Sequence, residues 1–359
     1  MKYGFLFIFL FISFFQLDAQ VFDTTQRAER YLFPAINEGD CIGIAAGISL
    51  NGKCTWTDAV GYGDLEKTLS FQPSTRNRIA SIAKPMTAVA VMQLVEQGKI
   101  DLDAPVQQYI PEFPDKPEGT ITVRHLMSHS SGIEGYRNTK EVENQIEYPT
   151  LSDAVDWIAS RDLMAVPGEE FNYSSFGYTV LGLVIERASG MTYEAYMQEN
   201  IWDKAAMYNT GIEDYGVEYP NKSKLYHKGK KKIKLAEVTN LSDRIPGGGI
   251  YSTVDDLLKF GDALIDHSLI SQESFNLMVD NTGLKKDGNG YGMGWYLYGD
   301  NPARGPVYGH TGGQTGVSAM FMLLPESGMT VIVISNTSGA MQRVSDIAVQ
   351  LLREETGCD

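Results

Sequence analysis

The sequence is poor in positive charge for its length. It has 359 residues, of which 30 are Lys or Arg and 45 are Asp or Glu, so the formal net charge is −15. A surface of that sign repels phosphate over most of its area, which argues against a general nucleic-acid-binding protein. The hydrophobic content of 43% is ordinary for a globular protein. A chain of this size can bury a large core, either as one domain or as two lobes.

Cysteine is also scarce, with three residues at Cys41, Cys54 and Cys358. A secreted chain would permit a Cys41–Cys54 disulfide. However, apolar residues alternate along 42–50, and the Asn-Gly pair that follows is a hairpin turn signal. In such a hairpin Cys54 lies opposite Ser49, far along the strand from Cys41. We therefore expect free, structural thiols.

A hydrophobic run stands at the start of the chain. Lys2 precedes a stretch of Phe, Leu and Ile over residues 5–15, and Ala19 is a small residue at a plausible cleavage site. This pattern predicts a secretory signal peptide over residues 1–20. A membrane anchor would need about 20 apolar residues, and the run is well short of that. We expect a secreted or periplasmic mature protein over residues 21–359, with no stable membrane anchor.

Several motifs of common catalytic sites are missing. The sequence contains no Gly-x-Ser-x-Gly elbow and no glycine loop of the phosphate-binding type. His125 and His129 have the i, i+4 spacing of a zinc-binding helix, but Leu-Met-Ser lies between them and no third ligand stands out. We interpret both as helix-end or packing histidines. We expect neither a metal nor an organic cofactor.

Strand patterns stand at both ends of the chain, and helical patterns lie between them. The hairpin at 42–60 is followed, much later, by strands predicted at 292–298, 307–312, 315–324 and 329–336. This order implies an α+β fold with one antiparallel sheet built from both termini and a helical insert. We expect an α/β lobe at about 21–110 and 250–359, and a helical lobe at about 111–249.

A Ser-x-x-Lys pair, Ser81 and Lys84, stands immediately ahead of a long apolar run. If a helix begins at Ser81, the hydroxyl and the amine share one face, and the helix N-terminus favours negative charge on the serine oxygen. Partial desolvation would lower the pKa of Lys84 and suit it to act as a base. A bare match of this kind arises by chance about once in a chain of this length, most often at an exposed helix start. Ser81 and Lys84 therefore indicate a catalytic site only if other residues of such a site are found in the sequence.

Two later stretches supply candidate partners. Tyr173-Ser174-Ser175 follows a Pro-Gly break and precedes a helical run, so Tyr173 points either into a cleft or into the core. His310-Thr311-Gly312-Gly313 ends a predicted strand. Its glycines let a substrate backbone approach and offer N–H donors, although a simple strand-end turn fits equally well.

Taken together and in this order, these motifs resemble the serine β-lactamase and penicillin-binding-protein family. The likeness is to the branch of class C β-lactamases and DD-peptidases, which includes many esterases and peptidases. It runs from about Ala35 to Leu352, and it includes residues 121–132, the Pro-Gly break at 167–168 and residues 247–253. The resemblance implies a β-lactamase/transpeptidase-like fold. Its active site would lie in the groove between the sheet lobe and the helical lobe.

The resemblance also implies roles for four residues. Ser81 is the nucleophile that becomes acylated, and Lys84 is its base. Tyr173 relays the proton to the leaving group and helps to activate the water that hydrolyses the acyl-enzyme. The backbone N–H groups of Ser81 and Gly313 form the oxyanion hole. This is two-step acyl transfer without a cofactor.

The substrate-binding positions depart from the family pattern. Ser175 replaces the asparagine of Tyr-x-Asn, and His310 replaces the lysine of Lys-Thr-Gly, ahead of Thr311 and Gly312. By resemblance, His310 and Thr311 hold the substrate carboxylate. Histidine, with a reference pKa of about 6.5, is mostly neutral at pH 7, so this anchor is weaker than a lysine. The change disfavours efficient β-lactam hydrolysis.

These expectations lead to a secreted serine hydrolase that forms an acyl-enzyme at Ser81 on an ester, an amide or a D-Ala-type peptide. The alternative is a penicillin-recognising or binding protein that is acylated slowly and lacks efficient turnover. The expected partners are small-molecule or peptide substrates and cell-wall components, and no nucleic acid. Seven lysines over residues 222–234 suggest a solvated hairpin, or else a patch for anionic polymers or for the anionic end of a substrate.

Overall fold

The computed structural model describes residues 24–280, 282–286 and 288–356. The predicted signal peptide and Cys358 lie outside these residues. The strands are, in chain order, β1 (Gly43–Leu50), β2 (Lys53–Gly61), β3 (Asn77–Arg78), β4 (Gly211–Ile212), β5 (Tyr226–Lys228), β6 (Ile233–Leu235), β7 (Ile250–Ser252), β8 (Lys285–Lys286), β9 (Asn289–Tyr291), β10 (Tyr296–Asn301), β11 (Gly305–Gln314), β12 (Val317–Leu324), β13 (Met329–Ser335) and β14 (Thr337–Ser338).

The α-helices lie mainly between the two groups of long strands. They are α1 (Thr24–Arg27), α2 (Phe33–Asn37), α3 (Ala83–Glu96), α4 (Val123–Met127), α5 (Thr139–Val142), α6 (Leu151–Ala159), α7 (Ser175–Ser189), α8 (Tyr193–Met197), α9 (Ile245–Gly248), α10 (Val254–Ile265), α11 (Gln272–Met278) and α12 (Met341–Thr356). Two π-helical segments, Ala28–Leu32 and Gln198–Trp202, continue α1 and α8. None of the helices in the described ranges is long and apolar enough to cross a membrane.

The main sheet has eight antiparallel strands in the order β2-β1-β13-β12-β11-β10-β9-β8. The neighbouring strands β1 and β13 come from opposite ends of the chain, with Ile44 paired to Ser335. Two smaller sheets, β14-β5-β6 and β3-β7-β4, flank it. The prediction of an α+β fold with one antiparallel sheet from both termini is confirmed. The lobe boundaries near residues 110 and 250 stay a prediction.

Both faces of the main sheet are covered, which explains why β12 is buried throughout and, apart from Ser318, hydrophobic. Ala319 and Phe321 on one face pack with α3, α7 and α10 in the larger core. Met320 and Met322 on the other face pack with α12 and the N-terminal helices. Successive side chains of a strand point to opposite faces, so a strand covered on both sides needs hydrophobic residues at every position.

The first hairpin has the predicted pairing. Cys54 lies opposite Ser49, next to a shift in register after Ile48. Cys41 and Cys54 are both free, Cys41 being buried and Cys54 exposed. The prediction of free thiols is therefore confirmed for these two residues.

The predicted helix start at Ser81 is wrong in detail. Residues Ala80–Ile82 form a 3-10 turn, and α3 begins at Ala83. Ala80 has a φ of +47°, in the left-handed region, so the chain turns sharply before the serine and cannot enter a regular helix there. The buried character of α3 follows the prediction, because every residue from Ala83 to Leu94 is buried.

Candidate active site

Ser81 lies on a sharply turned segment at the boundary between the sheet and the helices. Strand β3 just before it pairs with β7, with Arg78 opposite Tyr251. Ala80 follows in the left-handed conformation and Ser81 stands in the short 3-10 turn, where its side chain is partly exposed. A non-glycine residue in this conformation stores backbone strain, which is common beside catalytic groups. The turn brings the hydroxyl above the first turn of α3.

Lys84 occupies that first turn and is completely buried. Its Nζ lies 3.0 Å from Ser81 Oγ and 3.0 Å from Ser175 Oγ. It also donates a 2.7 Å hydrogen bond to the carbonyl oxygen of Gly247. Burial of an amine is tolerated only where hydrogen-bond partners replace water, and these three oxygens do so. Lys84 thus links Ser81, α7 and α9.

Tyr173 completes this group. Its hydroxyl forms a hydrogen bond with Ser81, and its ring centroid lies 4.8 Å from Lys84 Nζ, which is a cation–π distance. Burial, followed by the neighbouring Tyr296, raises the pKa of Tyr173 well above its usual value, against the opposing effect of the Ser81 hydrogen bond. The phenol is therefore neutral near pH 7. It can pass a proton through its O–H but does not stand there as a phenolate.

His129 holds the segment that carries Tyr173. It has a φ of +58°, its Nδ1 accepts a 3.2 Å hydrogen bond from the N–H of Ser174, and its carbonyl accepts one of 2.7 Å from Asn172. Its ring lies 4.1 Å from the ring of Tyr173. Ser174 Oγ in turn caps α7, which begins at Ser175. His129 thus orders the Tyr-Ser-Ser segment.

His125 does not join His129 in a cluster of ligands. His125 is part of the capping box of α4, where its Nδ1 accepts from the N–H of Thr122 at 3.3 Å. Over the residues that the structure describes, no group of three or more His, Cys, Asp or Glu side chains is arranged to hold a metal ion. The interpretation of both as helix-end or packing histidines fits these contacts.

The strand β11 runs directly beside Ser81. A Cβ on Gly312 would lie 2.3 Å from the carbonyl oxygen of Ile79, so only glycine allows this close approach. Gly313 is exposed, and Gln314 Nε2 donates a 3.0 Å hydrogen bond to the carbonyl of Gly248. These contacts hold β11 close to the Ser81 turn, and the expected use of the Ser81 and Gly313 N–H groups as oxyanion donors stays a prediction.

His310 lies deeper than its predicted role as a carboxylate anchor requires. It is 1% exposed. Its Nε2 is 3.1 Å from the hydroxyl of Tyr291, and its Nδ1 is 2.7 Å from the carbonyl oxygen of Thr311. Its ring packs 4.8 Å from that of Tyr296 and 6.1 Å from that of Tyr173. The partly exposed Thr311 is nearer to solvent, and binding of a substrate carboxylate by His310 and Thr311 stays a prediction.

Two further residues of the site carried no signal in the sequence. Tyr136 forms a hydrogen bond with Ser175, and the guanidinium of Arg244 lies 4.4 Å from the centroid of its ring. Arg244 is itself buried and paired with Asp243 at 2.6 Å. A lone tyrosine after Ser131-Gly132 and an Asp-Arg pair before a glycine run are common surface patterns. Only the folded chain brings them to Ser175.

Arg78 is a third residue that the sequence did not indicate. Its buried guanidinium donates to both carboxylate oxygens of Glu213, at 2.7 to 3.0 Å. It also donates to Oγ1 and to the carbonyl of Thr239, at 2.8 and 3.0 Å. Lys222 pairs with the same Glu213 at 3.0 Å. These bonds fix the segment that leads into Ser81.

A serine whose hydroxyl contacts both a buried lysine and a neutral tyrosine, beside a glycine-rich strand, is the arrangement of β-lactamase/transpeptidase-like serine hydrolases. The overall fold places it between strand β11 of the main sheet and the helices α3, α7 and α9. The Beta-lactamase family matches residues 24–354, and the chain belongs to this family.

The chain is similar to named proteins over most of its length. It is 32% identical to the human serine beta-lactamase-like protein LACTB, mitochondrial, over 79% of this chain and 69% of that protein. The solved octameric penicillin-binding protein homologue from Pyrococcus abyssi is 28% identical with a TM-score of 0.80, covering 93% of this chain and 78% of the other. A D-amino acid amidase from Ochrobactrum anthropi SV3 shares the fold, with a TM-score of 0.80 at 22% identity, over 93% and 99% of the two chains.

Proposed function

We propose that the protein is a serine hydrolase that forms an acyl-enzyme at Ser81. The observation that carries this proposal is the position of Lys84, whose buried Nζ lies 3.0 Å from Ser81 Oγ. A lysine kept from water and aimed at a serine hydroxyl has no evident structural purpose that a hydrophobic residue would not serve better. The use of Lys84 as the base for Ser81 explains why a lysine stands there.

In the acylation step, Lys84 acts as the neutral amine. It takes the proton of Ser81 while Oγ attacks the carbonyl carbon of the substrate. The carbonyl oxygen becomes an oxyanion that accepts from the N–H groups of Ser81 and Gly313. When the tetrahedral intermediate collapses, the bond to the alcohol or amine leaving group breaks, and that group receives a proton through the hydroxyl of Tyr173. Ser81 then carries the acyl group as an ester.

Deacylation uses the same groups in reverse. Water attacks the acyl carbon and gives a proton to the pair of Tyr173 and Lys84, and Ser81 Oγ regains its proton as the acid product leaves. Because Tyr173 remains a neutral phenol, it accepts a proton only as it passes another one on to Lys84. The direct contacts from Ser81 to both residues support this relay.

The proposed substrates are esters, amides and peptides with a D-amino-acid end. Two features support this range over β-lactams. Ser175 offers a short hydroxyl that already binds Lys84 and Tyr136, in place of an amide that could reach a substrate carbonyl. His310 is buried, and its two ring nitrogens already contact the hydroxyl of Tyr291 and the carbonyl oxygen of Thr311. Thr311 and Gly312 are left to bind the substrate along β11.

Labelling with a fluorophosphonate probe tests the proposal. The wild-type protein should be labelled at one site, identified by peptide mass analysis as Ser81. Ser81→Ala should remove the label, whereas Ser160→Ala, which changes an exposed serine at the end of α6, should retain it. Labelling of Ser81→Ala at an unchanged rate would refute the assignment of the nucleophile.

A second candidate function is a protein that is acylated but hardly turns over. The small hydroxyl of Ser175 favours it, because one contact to the acyl group is lost. The time course of p-nitrophenol release from p-nitrophenyl butyrate separates the two functions. Continued linear release supports the hydrolase, and a stoichiometric burst that then stops supports the slowly acylated protein.

We further propose that the protein works outside the cytoplasm after removal of residues 1–20. The basic start and apolar run of the sequence support this proposal. Expression in a host with a secretory pathway, followed by N-terminal sequencing of the extracytoplasmic fraction, is the test. A chain that keeps Met1 and stays in the cytoplasm would contradict it.

A further inference from the structure

A basic hairpin projects from the surface of this acidic protein. Strands β5 and β6 form it, with the turn at residues 229–232 between them. Four of its lysines are exposed, and none of the ion pairs in the described part of the chain involves them: Lys230, Lys231, Lys232 and Lys234. We call these four residues the tip lysines.

The remaining lysines of the stretch are already paired. Lys222 pairs with Glu213, Lys224 with Glu66 and Lys228 with Asp40. The tip lysines thus differ from their neighbours in having no carboxylate partner in the described chain, although the net charge is −15. They form a local positive surface on a molecule that otherwise repels anions.

Protection of a sheet edge explains only part of this charge. Strand β6 is the outer strand of the sheet β14-β5-β6, and lysine on such a strand discourages pairing with another chain. That argument covers Lys234, which lies within β6. It does not explain the lysines of the turn at 229–232, because a turn has no row of unpaired strand N–H and C=O groups that another chain could pair with.

A cleft with a mixed lining lies beside the basic hairpin, and its charged lining residues are Glu213, Asp214, Glu218, Lys222 and Lys224. It has a volume of about 480 Å³, and Val217, Leu235 and Val238 are among its lining residues. These three side chains are 50%, 61% and 48% exposed. Exposed apolar side chains grouped around one depression mark an interaction surface, whereas scattered ones do not. Leu235 ends strand β6 of the basic hairpin, so the cleft adjoins this hairpin.

We propose that this surface docks on an anionic phospholipid bilayer. The tip lysines contact the lipid phosphates, and Leu235, Val238 and Val217 enter the boundary between headgroups and acyl chains. A soluble anionic polymer would use the lysines but leave the exposed apolar side chains of the cleft uncovered, so the combination favours lipid. The acidic remainder of the surface is repelled from such a bilayer and restricts docking to this face.

Docking here would bring the catalytic segment close to the membrane. Val238 precedes Thr239, which accepts two hydrogen bonds from Arg78, three residues before Ser81. The proposal does not rest on acyl transfer, because neither the tip lysines nor the cleft contacts Ser81. Docking and hydrolysis can therefore fail independently of each other.

Sedimentation of the purified protein with vesicles tests the proposal. The protein should bind vesicles of phosphatidylcholine mixed with phosphatidylglycerol, should not bind vesicles of phosphatidylcholine alone, and should be released as salt rises. A triple variant, Lys230→Glu, Lys231→Glu and Lys232→Glu, should bind about 100-fold more weakly. The double variant Leu235→Ser and Val238→Ser should bind about tenfold more weakly.

A control variant with the same change in net charge distinguishes an effect of this surface from an effect of the overall charge. The triple variant Lys53→Glu, Lys99→Glu and Lys204→Glu changes three exposed lysines elsewhere and should bind as wild type does. Thermal unfolding and ester hydrolysis should be unchanged in every variant, which shows that each has folded. Failure to bind the mixed vesicles, or equal loss in the control variant, would overturn the proposal. The double variant Leu235→Ser and Val238→Ser could instead bind polyphosphate tightly and bind the mixed vesicles as wild type does. That result would identify the ligand as an anionic polymer and not as lipid.

Discussion

Arg78 donates a 3.2 Å hydrogen bond from Nη1 to the carbonyl oxygen of Thr315. Arg78 lies three residues before Ser81, and Thr315 lies two residues after Gly313. The bond thus joins the two segments that carry the proposed oxyanion donors, although they are more than 200 residues apart in the chain. The same guanidinium is anchored by Glu213 and Thr239, so its own position is fixed. We therefore predict that Arg78 is a positioning residue for the proposed oxyanion hole.

Replacing Arg78 by lysine should lower kcat more than it changes KM. A lysine keeps the charge but lacks the planar fork that reaches Glu213 and Thr315 at once. A displacement of about 1 Å between the two N–H donors can cost about 100-fold in rate. Steady-state hydrolysis of p-nitrophenyl butyrate measures both constants. Arg124→Lys, in the exposed pair with Asp103, is the control and should act as wild type. An Arg78→Lys variant with unchanged kcat would contradict the role.

Acid should destabilise the protein partly through Glu213. Burial raises the pKa of this carboxyl, but the charges and hydrogen bonds of Arg78 and Lys222 outweigh it, so the net pKa is lowered. Its stabilising contribution is therefore complete above the ordinary glutamate pKa of about 4.3 and is lost as pH falls through the lower folded value. Denaturant unfolding measured from pH 7 to pH 3 should show this loss.

The variant Glu213→Gln should flatten that acid slope. At pH 7 it should also lower the free energy of unfolding by about 3–5 kcal/mol, because Arg78 is left buried without its counter-charge. Glu112→Gln, in an exposed pair with Arg187, should cost at most about 1 kcal/mol. Equal effects of the two substitutions would contradict the assignment.

Tyr173→Phe should slow turnover without altering the shape of the pH profile at high pH. The pKa of Tyr173 is raised well above its usual value by burial and by Tyr296, so the phenol stays protonated up to about pH 10 and no phenolate adds to the rate. Loss of the relay should reduce kcat by about 100-fold to 10,000-fold. The ring contacts with Lys84 and His129 remain in the variant. If the wild-type rate rises toward pH 10 and the Tyr173→Phe rate does not, the proposal that Tyr173 acts as a neutral phenol is refuted.

Gly312→Ala should abolish activity and destabilise the fold. Its Cβ would lie 2.3 Å from the carbonyl oxygen of Ile79, which pushes β11 away from the Ser81 turn. Gly177→Ala is the contrasting change, because its Cβ would meet nothing closer than 3.7 Å, and alanine favours the helix α7 by up to about 1 kcal/mol. In thermal unfolding and ester hydrolysis assays, Gly312→Ala should lower the Tm and remove activity. Gly177→Ala should raise the Tm slightly and leave activity in place. An active, stable Gly312→Ala protein would show that β11 can shift freely.

The two described cysteines should differ in reactivity. Burial raises the pKa of the Cys41 thiol to about 11, so almost no thiolate exists there near pH 8. Burial and Asp255 also raise the pKa of Cys54, but that residue is exposed. In a Cys358→Ser background, an aromatic disulfide reagent at pH 8 should modify Cys54 slowly and Cys41 only after unfolding. Two fast equivalents from the native protein would contradict the burial of Cys41.

Local pattern predicted the sheet well, because strand alternation and turn residues act over short distances. The pairing of Cys54 with Ser49 follows from alternation and one Asn-Gly turn, and β12 and β13 follow from apolar runs across a Pro-containing turn. The helix start at Ser81 was predicted wrongly because the left-handed conformation of Ala80 is imposed from outside, by β7 and β11. No residue near Ala80 signals it.

The candidate site was predictable only where its residues stand in motifs. Ser81, Lys84 and Tyr173 do so, and the structure brings them into contact. Arg78 and Tyr136 do not belong to motifs. The partner of Arg78, Glu213, lies 135 residues away in the sequence, and the partner of Tyr136, Ser175, lies in the helix α7. The burial of His310 also escaped prediction, because it depends on Tyr291 across the neighbouring strands.

The placement of β1 between β2 and β13 constrains the order in which the chain can fold as it is made. Residues 43–50 emerge early, yet their partner strand Met329–Ser335 is completed nearly 300 residues later. Until then the hairpin of β1 and β2 has an open edge, and a two-stranded hairpin alone is marginally stable in water. Folding that depends on such distant contacts is slow. The nascent chain therefore reaches its last strands before its sheet can close, and its final structure is a product of the complete polypeptide.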